Sequence, residues 1–204
     1  MVNNMIDSKK PELSFKEKIM KFLIENKEPL SILQISDRLR ADYKNTFQAI
    51  NSCPDIIIKD KKGNTSFIEI KLSPNPKIYS VESKRTQEFL EKNKQMKLLR
   101  EDVISLNYPF FIVLVFGSFA KKTNTARSDI DICIISDNKG KIKELISKLR
   151  LLPLKLEIHE FTTEEFESML KQKSPNIANE IIKNNIILYG AENYYNLISK
   201  YARK

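Results

Sequence analysis

Gly117-Ser118-Phe119-Ala120 and, after a short basic loop, Ser128-Asp129-Ile130-Asp131-Ile132 are the residues of this chain best suited to chemistry. The run Phe110–Phe116 ahead of them is continuous, aromatic and β-branched, the pattern of a strand buried on both faces. Where such a strand gives way to a helix, the free N–H groups of Gly117 and Ser118 point outward and can bind phosphate oxygens. Glycine permits close approach, and the Ser118 hydroxyl adds a hydrogen bond. In the second segment, strand alternation puts Asp129 and Asp131 on one face and Ile130, Ile132 and Ile134 on the other. Two neighbouring carboxylates repel unless a cation lies between them, and hard divalent ions such as Mg²⁺ favour carboxylate and phosphate oxygens. Either half alone is weak: Gly-Ser after a strand is usually a turn, and Asp-x-Asp occurs on many solvated strands. Together, in this order, they imply metal-assisted chemistry on a triphosphate.

On Gly117-Ser118 and Asp129-x-Asp131 the chain resembles the polymerase-β-like nucleotidyltransferase superfamily, and most nearly its small archaeal-type members with an N-terminal winged helix. The resemblance covers about residues 81–190, with the strong motif confined to Gly117–Asp131. It implies a Mg²⁺-dependent enzyme, using two ions, that moves NMP from an NTP to a hydroxyl acceptor. Asp129 and Asp131 would then hold the metal, and Gly117 and Ser118 the nucleotide phosphates. Arg127 and Ser128, at the end of the basic loop, join the nucleotide-binding set, whereas Lys121 and Lys122 read as flexible surface cations.

The family pattern also asks for a third carboxylate on a later strand, more often Asp. On Lys155–Phe161, Leu156 and Ile158 look core-facing, so Glu157 and His159 share the opposite face. That places Glu157 ahead of Glu160 as metal ligand or general base. His159, the only histidine, reads as structural or solvent-facing.

Around these motifs the predicted order is strand to Phe116, short helix from Ser118, strand Asp129–Ile135, helix around Lys141–Leu149, strand Lys155–Phe161 and helix Thr163–Leu170. After Ser174-Pro175 come a further helix, a short strand Ile186–Leu188 and a last helix containing Tyr194, Tyr195 and Leu197. This alternation predicts a mixed α/β nucleotidyltransferase-fold domain with a mixed sheet over residues 79–204, ending in a C-terminal helical extension. Val81 to about Ser105 reads as one long charged helix whose Lys84, Arg85, Lys92, Lys94 and Lys97 form a solvated face. Ser73-Pro74-Asn75-Pro76-Lys77 is the best domain boundary.

Residues 1–13 read as a polar leader, and residues 14–78 as a winged helix-turn-helix domain. Three helices are predicted there: one with Phe15, Ile19, Phe22 and Leu23 on one face, one capped by Ser31, and one across Tyr43–Ser52. The third turns Phe47 and Ile50 inward and Lys44, Asn45, Gln48 and Asn51 outward. Two β-rich runs, Asp55–Lys59 and Ser66–Ile70, flank Lys61-Lys62-Gly63-Asn64, which has hairpin-turn chemistry. In a winged helix-turn-helix the third helix enters the major groove and the wing lies on the phosphates. Lys44, Asn45, Gln48, Lys59, Lys61 and Lys62 are therefore the candidate contacts to duplex DNA, although such modules also serve for docking or dimerisation.

A net charge of +9 among 204 residues favours anionic partners, and 41% hydrophobic content suffices for a buried core. The two cysteines, Cys53 and Cys133, lie far apart and suggest neither a disulfide framework nor a zinc site. No signal-type or bilayer-length apolar run is present, so a cytoplasmic protein without membrane contact is expected. The acceptor (protein, nucleic acid or small molecule) and the oligomeric state, a homodimer among the options, stay open. The competing reading is a DNA-binding transcriptional or toxin–antitoxin-type regulator whose transferase domain senses nucleotide, with retention of catalysis left open.

Overall fold

The computed structural model describes residues 13–172 and 174–201, so all but the last residue of the expected leader lies outside the described residues. The chain divides between Glu69 and Ile70 into two compact units.

The first unit is built from α1 (Phe15–Glu25), β1 (Leu30–Ser31), α2 (Ile32–Leu39), α3 (Tyr43–Asn51), β2 (Ile57–Lys62) and β3 (Thr65–Ile70). Local chemistry starts its helices. Ser14 with Glu17 and Ser31 with Gln34 form reciprocal capping boxes, and Asp42 accepts from the Asn45 N–H. The sheet order is β1-β3-β2, with β1 antiparallel to β3 through Leu30 and Ile68. The two-residue β1 was not anticipated, because so short a strand has no periodicity of its own. Ile19, Leu23, Ile35, Ile50, Ile56 and Ile68 are fully buried in the core, each contributing about 1.5–3 kcal/mol. Phe47 departs from expectation: it is 45% exposed and stacks on Tyr43, one turn earlier on α3. Thr46, Ala49 and Ile50 fill the buried stripe instead, since the helix phase is set by Ile50 and the small residues beside it.

The second unit contains α4 (Pro76–Lys92), α5 (Met96–Ser105), β4 (Ile112–Val115), α6 (Gly117–Lys121), β5 (Ile130–Ile135), α7 (Lys139–Leu149) and β6 (Leu156–Phe161). It continues with α8 (Thr163–Lys171), α9 (Ile177–Lys183), β7 (Ile186–Tyr189) and α10 (Ala191–Ile198). The strands form one mixed sheet in the order β6-β5-β4-β7, with β5 and β6 parallel and β4 antiparallel to both β5 and β7. A parallel pair needs a crossover, which α7 provides. Val113, Val115, Ile132 and Ile134 share one core with Leu99, Val103, Leu145 and Leu149 of α5 and α7. Gly190 at the end of β7 has φ +78°, and a Cβ there would lie 2.0 Å from the Phe111 carbonyl oxygen. Only glycine lets that turn reach β4.

The long helix expected from Val81 to Ser105 is two helices. Asn93 ends α4, its backbone and side-chain N–H groups both donating to the Phe89 carbonyl at 3.0 and 2.9 Å. At the other end Pro76 opens α4 at its first turn, where no intrahelical N–H is required, and Asn75 caps it. Arg85 is not part of a solvated face either. It is 6% exposed, pairs with Glu82, and donates to the Asn185 carbonyl at 3.1 Å. Tyr195 donates to the other Glu82 oxygen at 2.6 Å, so the buried charges of α4 are balanced by each other and by the C-terminal segment. Phe110, expected inside a buried strand, is 67% exposed and packs edge-on against Tyr108; the strand begins at Ile112. No helix among the described residues is long and apolar enough to cross a membrane.

Candidate metal and nucleotide site

The strand-to-turn junction carries the site. β4 is buried along its whole length, and Phe116 continues the ladder by donating its N–H to the Asp131 carbonyl at 3.0 Å. Gly117 follows at φ +61°, opening α6. A Cβ on Gly117 would lie 1.9 Å from Oδ2 of Asp131, so the absence of a side chain is what lets this carboxylate sit against the turn. The Ser118 N–H donates to the same carboxylate.

Parallel pairing of β5 with β6 sets Asp131 beside Glu157 and Cys133 beside His159. Alternation then gathers Asp131, Glu157 and His159 on one face of the sheet, while Ile130, Ile132, Leu156 and Ile158 join the α5–α7 core on the other. One ligand atom from each of Asp131, Glu157 and His159 lies within 4.8 Å of the other two. His159 Nε2 is 3.3 Å from Glu157 Oε1, and its ring meets Phe116 edge-on at 5.4 Å between centroids. Phe116 thus aligns the imidazole while its own backbone starts the turn.

Partial burial, followed by the charges of Glu157 and Glu180, raises the Asp131 pKa above its ordinary value; His159 and the Ser118 N–H oppose the shift. An anion held against like charges is a site that gains by taking up a cation. The two carboxylates supply the hard oxygen donors that Mg²⁺ or Mn²⁺ favours, whereas the imidazole is a donor better suited to Zn²⁺ or Fe²⁺, so an Mg²⁺ ion here would rest on Asp131 and Glu157.

Of the residues selected from sequence, Gly117, Ser118, Asp131 and Glu157 converge here. Asp129 is outside this cluster: it is the exposed residue just before β5, whose ladder to β6 starts with the Ile130 N–H donating to the Lys155 carbonyl at 2.8 Å. Ser128 closes the basic loop on itself, its hydroxyl accepting from the Thr125 N–H at 2.9 Å, and Arg127 is exposed in the same loop. His159 is the residue that sequence reasoning undervalued. Alternation had already put it on the Glu157 face, but only the β5–β6 register brings it to Asp131. In the other unit Lys44, Asn45, Gln48, Lys61 and Lys62 are exposed, and Lys59, also exposed, donates to Asn51 at the end of α3.

Comparison with known proteins agrees with this geometry. Residues 101–194 match the family described as polymerase beta, nucleotidyltransferase. A polymerase-β-like nucleotidyltransferase domain is what this segment of the chain is similar to. A Methanocaldococcus jannaschii protein described as a candidate protein adenylyltransferase is 37% identical over 82 residues, which are 40% of this chain. The match spans 57% of that relative's own length. No solved structure matches the chain. The matched segment lies in a mixed α/β fold in which β4, α6, β5 and β6 place three side chains that could hold a metal ion beside a Gly-Ser turn.

Proposed function

We propose that the chain is a Mg²⁺-dependent nucleotidyltransferase that moves AMP from ATP to a hydroxyl group of a protein. The observation that carries this reading is the Asp131 carboxylate seated against the Gly117-Ser118 turn and joined by Glu157 and His159. The name of the archaeal relative supports adenylyl transfer and a protein acceptor. The bond formed joins the acceptor oxygen to the α-phosphorus. The α–β bridge breaks, and its electron pair leaves with pyrophosphate. A divalent metal, when bound, would neutralise charge at the phosphate oxygens and acidify the acceptor hydroxyl. Asp131 would hold the ion, and Asp129, ahead of the strand, would offer a carboxylate to a second one. Gly117 and Ser118 orient the phosphates. Glu157, the most exposed member of the triad, takes the hydroxyl proton, with His159 holding it in place.

Strand register makes this testable, because Glu157 and Glu160 are near neighbours on opposite faces. Glu157→Gln is expected to lower turnover about 100-fold, within the usual range for a general base, and Glu160→Gln to leave it within about twofold. Steady-state rates with labelled ATP check this. A larger effect at Glu160 would contradict the assignment.

A second reading concerns the first unit, which we propose is a winged helix that contacts duplex DNA and serves regulation beside transfer. The observation favouring it is a groove between the start of α1 and α3 whose largely apolar floor carries Lys16, Lys18 and Arg40 together with Asn45 and Gln48 of α3. Binding by the full chain is expected to weaken with salt. Changing both Lys61 and Lys62 to Ala should flatten the slope of log affinity against log salt by about two units, roughly 0.9 per lost phosphate contact. An unchanged slope would assign the hairpin another role.

A further inference from the structure

An ion pair joins α6 to α9 beside the site. Lys121 Nζ donates to Glu180 Oε1 at 2.6 Å, and the two side chains are 40% and 46% exposed. Lys121 ends the helix that Gly117 opens, and it lies three residues beyond Ser118, on the same side of that turn. Glu180 stands on the solvent side of α9, whose Ala178 and Ile181 are fully buried, and its charge reaches Asp131. The lysine next to the phosphate-binding turn is thus already held by a carboxylate that belongs to neither the Gly-Ser motif nor the triad.

We propose that Lys121 and Glu180 form a clasp that nucleotide displaces: Glu180 holds Lys121 in the empty site, and the triphosphate draws Lys121 onto its own oxygens. The inference rests on the reading of this site as nucleotide-binding. Exposed single ion pairs contribute little, because water screens them and two long side chains must be ordered. A phosphate chain offers several charges and stronger, charge-assisted hydrogen bonds to the same ammonium group. The exchange therefore runs toward the nucleotide. It also leaves Glu180 uncompensated near Asp131 and Glu157, so a divalent cation that neutralises the acidic cluster promotes the exchange. Nucleotide and cation then bind cooperatively, and metal-free nucleotide binds weakly.

The test is equilibrium binding of a non-hydrolysable ATP analogue to the full chain, with Mg²⁺ and with chelator. Glu180→Gln frees Lys121 and is expected to tighten binding about threefold, the scale of an exposed pair. Lys121→Met is expected to weaken it roughly tenfold, the scale of a hydrogen bond to a charged group. Glu180→Gln should tighten binding less in the Lys121→Met background than in the wild type, because the clasp is then already gone and only the direct repulsion of Glu180 is removed. The tightening in Glu180→Gln should be larger with chelator than with Mg²⁺. Thermal unfolding shows whether each variant is folded, and Glu180→Ala provides an independent check on the glutamine variant. Unchanged affinity in both Glu180 variants overturns the clasp, as does equal tightening in the Lys121→Met background. Failure of the wild type to bind the analogue at all overturns the nucleotide-site reading and the clasp with it.

Discussion

Asp131→Asn is expected to reduce metal-dependent transfer by on the order of 1,000-fold while leaving the fold intact. The magnitude follows from the several kcal/mol of charge stabilisation that a bound ion supplies, at about 1.4 kcal/mol per tenfold in rate. The fold survives because asparagine keeps the shape and can still accept from the Ser118 N–H, while repulsion from Glu157 and Glu180 disappears. The sign of the stability effect follows from the direction of the shift. The folded-state pKa of Asp131 is raised, so the folded chain binds a proton more tightly than the unfolded chain does. Its contribution to stability is present at low pH and is lost as pH climbs from the ordinary carboxylate range through the raised value. Above that window the metal-free Asn variant should melt at or above the wild-type temperature. Mg²⁺ should raise the wild-type melting temperature and leave the variant's nearly unchanged. Wild-type turnover in the variant would remove Asp131 from the chemistry.

Gly117→Ala should damage both stability and turnover, which separates it from the aspartate variant. Its φ of +61° lies in the left-handed region, where a side chain costs about 1–2 kcal/mol. The larger problem is space. The new methyl carbon would meet Asp131 Oδ2 at 1.9 Å and Cγ at 2.8 Å, so either the carboxylate swings away from Glu157 and His159 or the turn withdraws from β5. A displacement of about 1 Å in a positioned group can cost 100-fold in rate, and a fall of that size is expected. Paired melting curves and steady-state rates check both halves. Full turnover with normal Mg²⁺ affinity would show that the close approach of Gly117 to Asp131 does not serve the reaction.

The parts of the site legible in the sequence are those fixed by local chain geometry. The Gly-Ser turn follows from a buried apolar strand meeting a helix start, and the choice of Glu157 over Glu160 follows from alternation around Leu156 and Ile158. His159 needed more than alternation. Its place depends on the parallel register that sets Cys133 beside it and Asp131 beside Glu157, and no single strand encodes that register. Asp129 was placed on the strand because Asp-x-Asp alternates, yet the ladder begins one residue later, where Ile130 first pairs with the β6 segment. Arg85 looked solvated because lysines surround it in sequence. Its burial is decided by the Asn185 carbonyl, 100 residues away. Glu180 was invisible for the same reason, since its partner Lys121 is 59 residues distant. On α3 the aromatic character of Phe47 suggested core, whereas helix phase gave the buried stripe to Thr46, Ala49 and Ile50.

The most direct measurement incubates the full chain and a cell extract with Mg²⁺ and ATP labelled at either the α- or the γ-phosphate, then resolves labelled protein. Nucleotidyl transfer through the Asp131–Glu157–His159 site predicts protein labelling from α-labelled ATP only, abolished by chelator and by Asp131→Asn. Labelling from the γ-phosphate, or undiminished α-labelling by the Asp131→Asn variant, would contradict it.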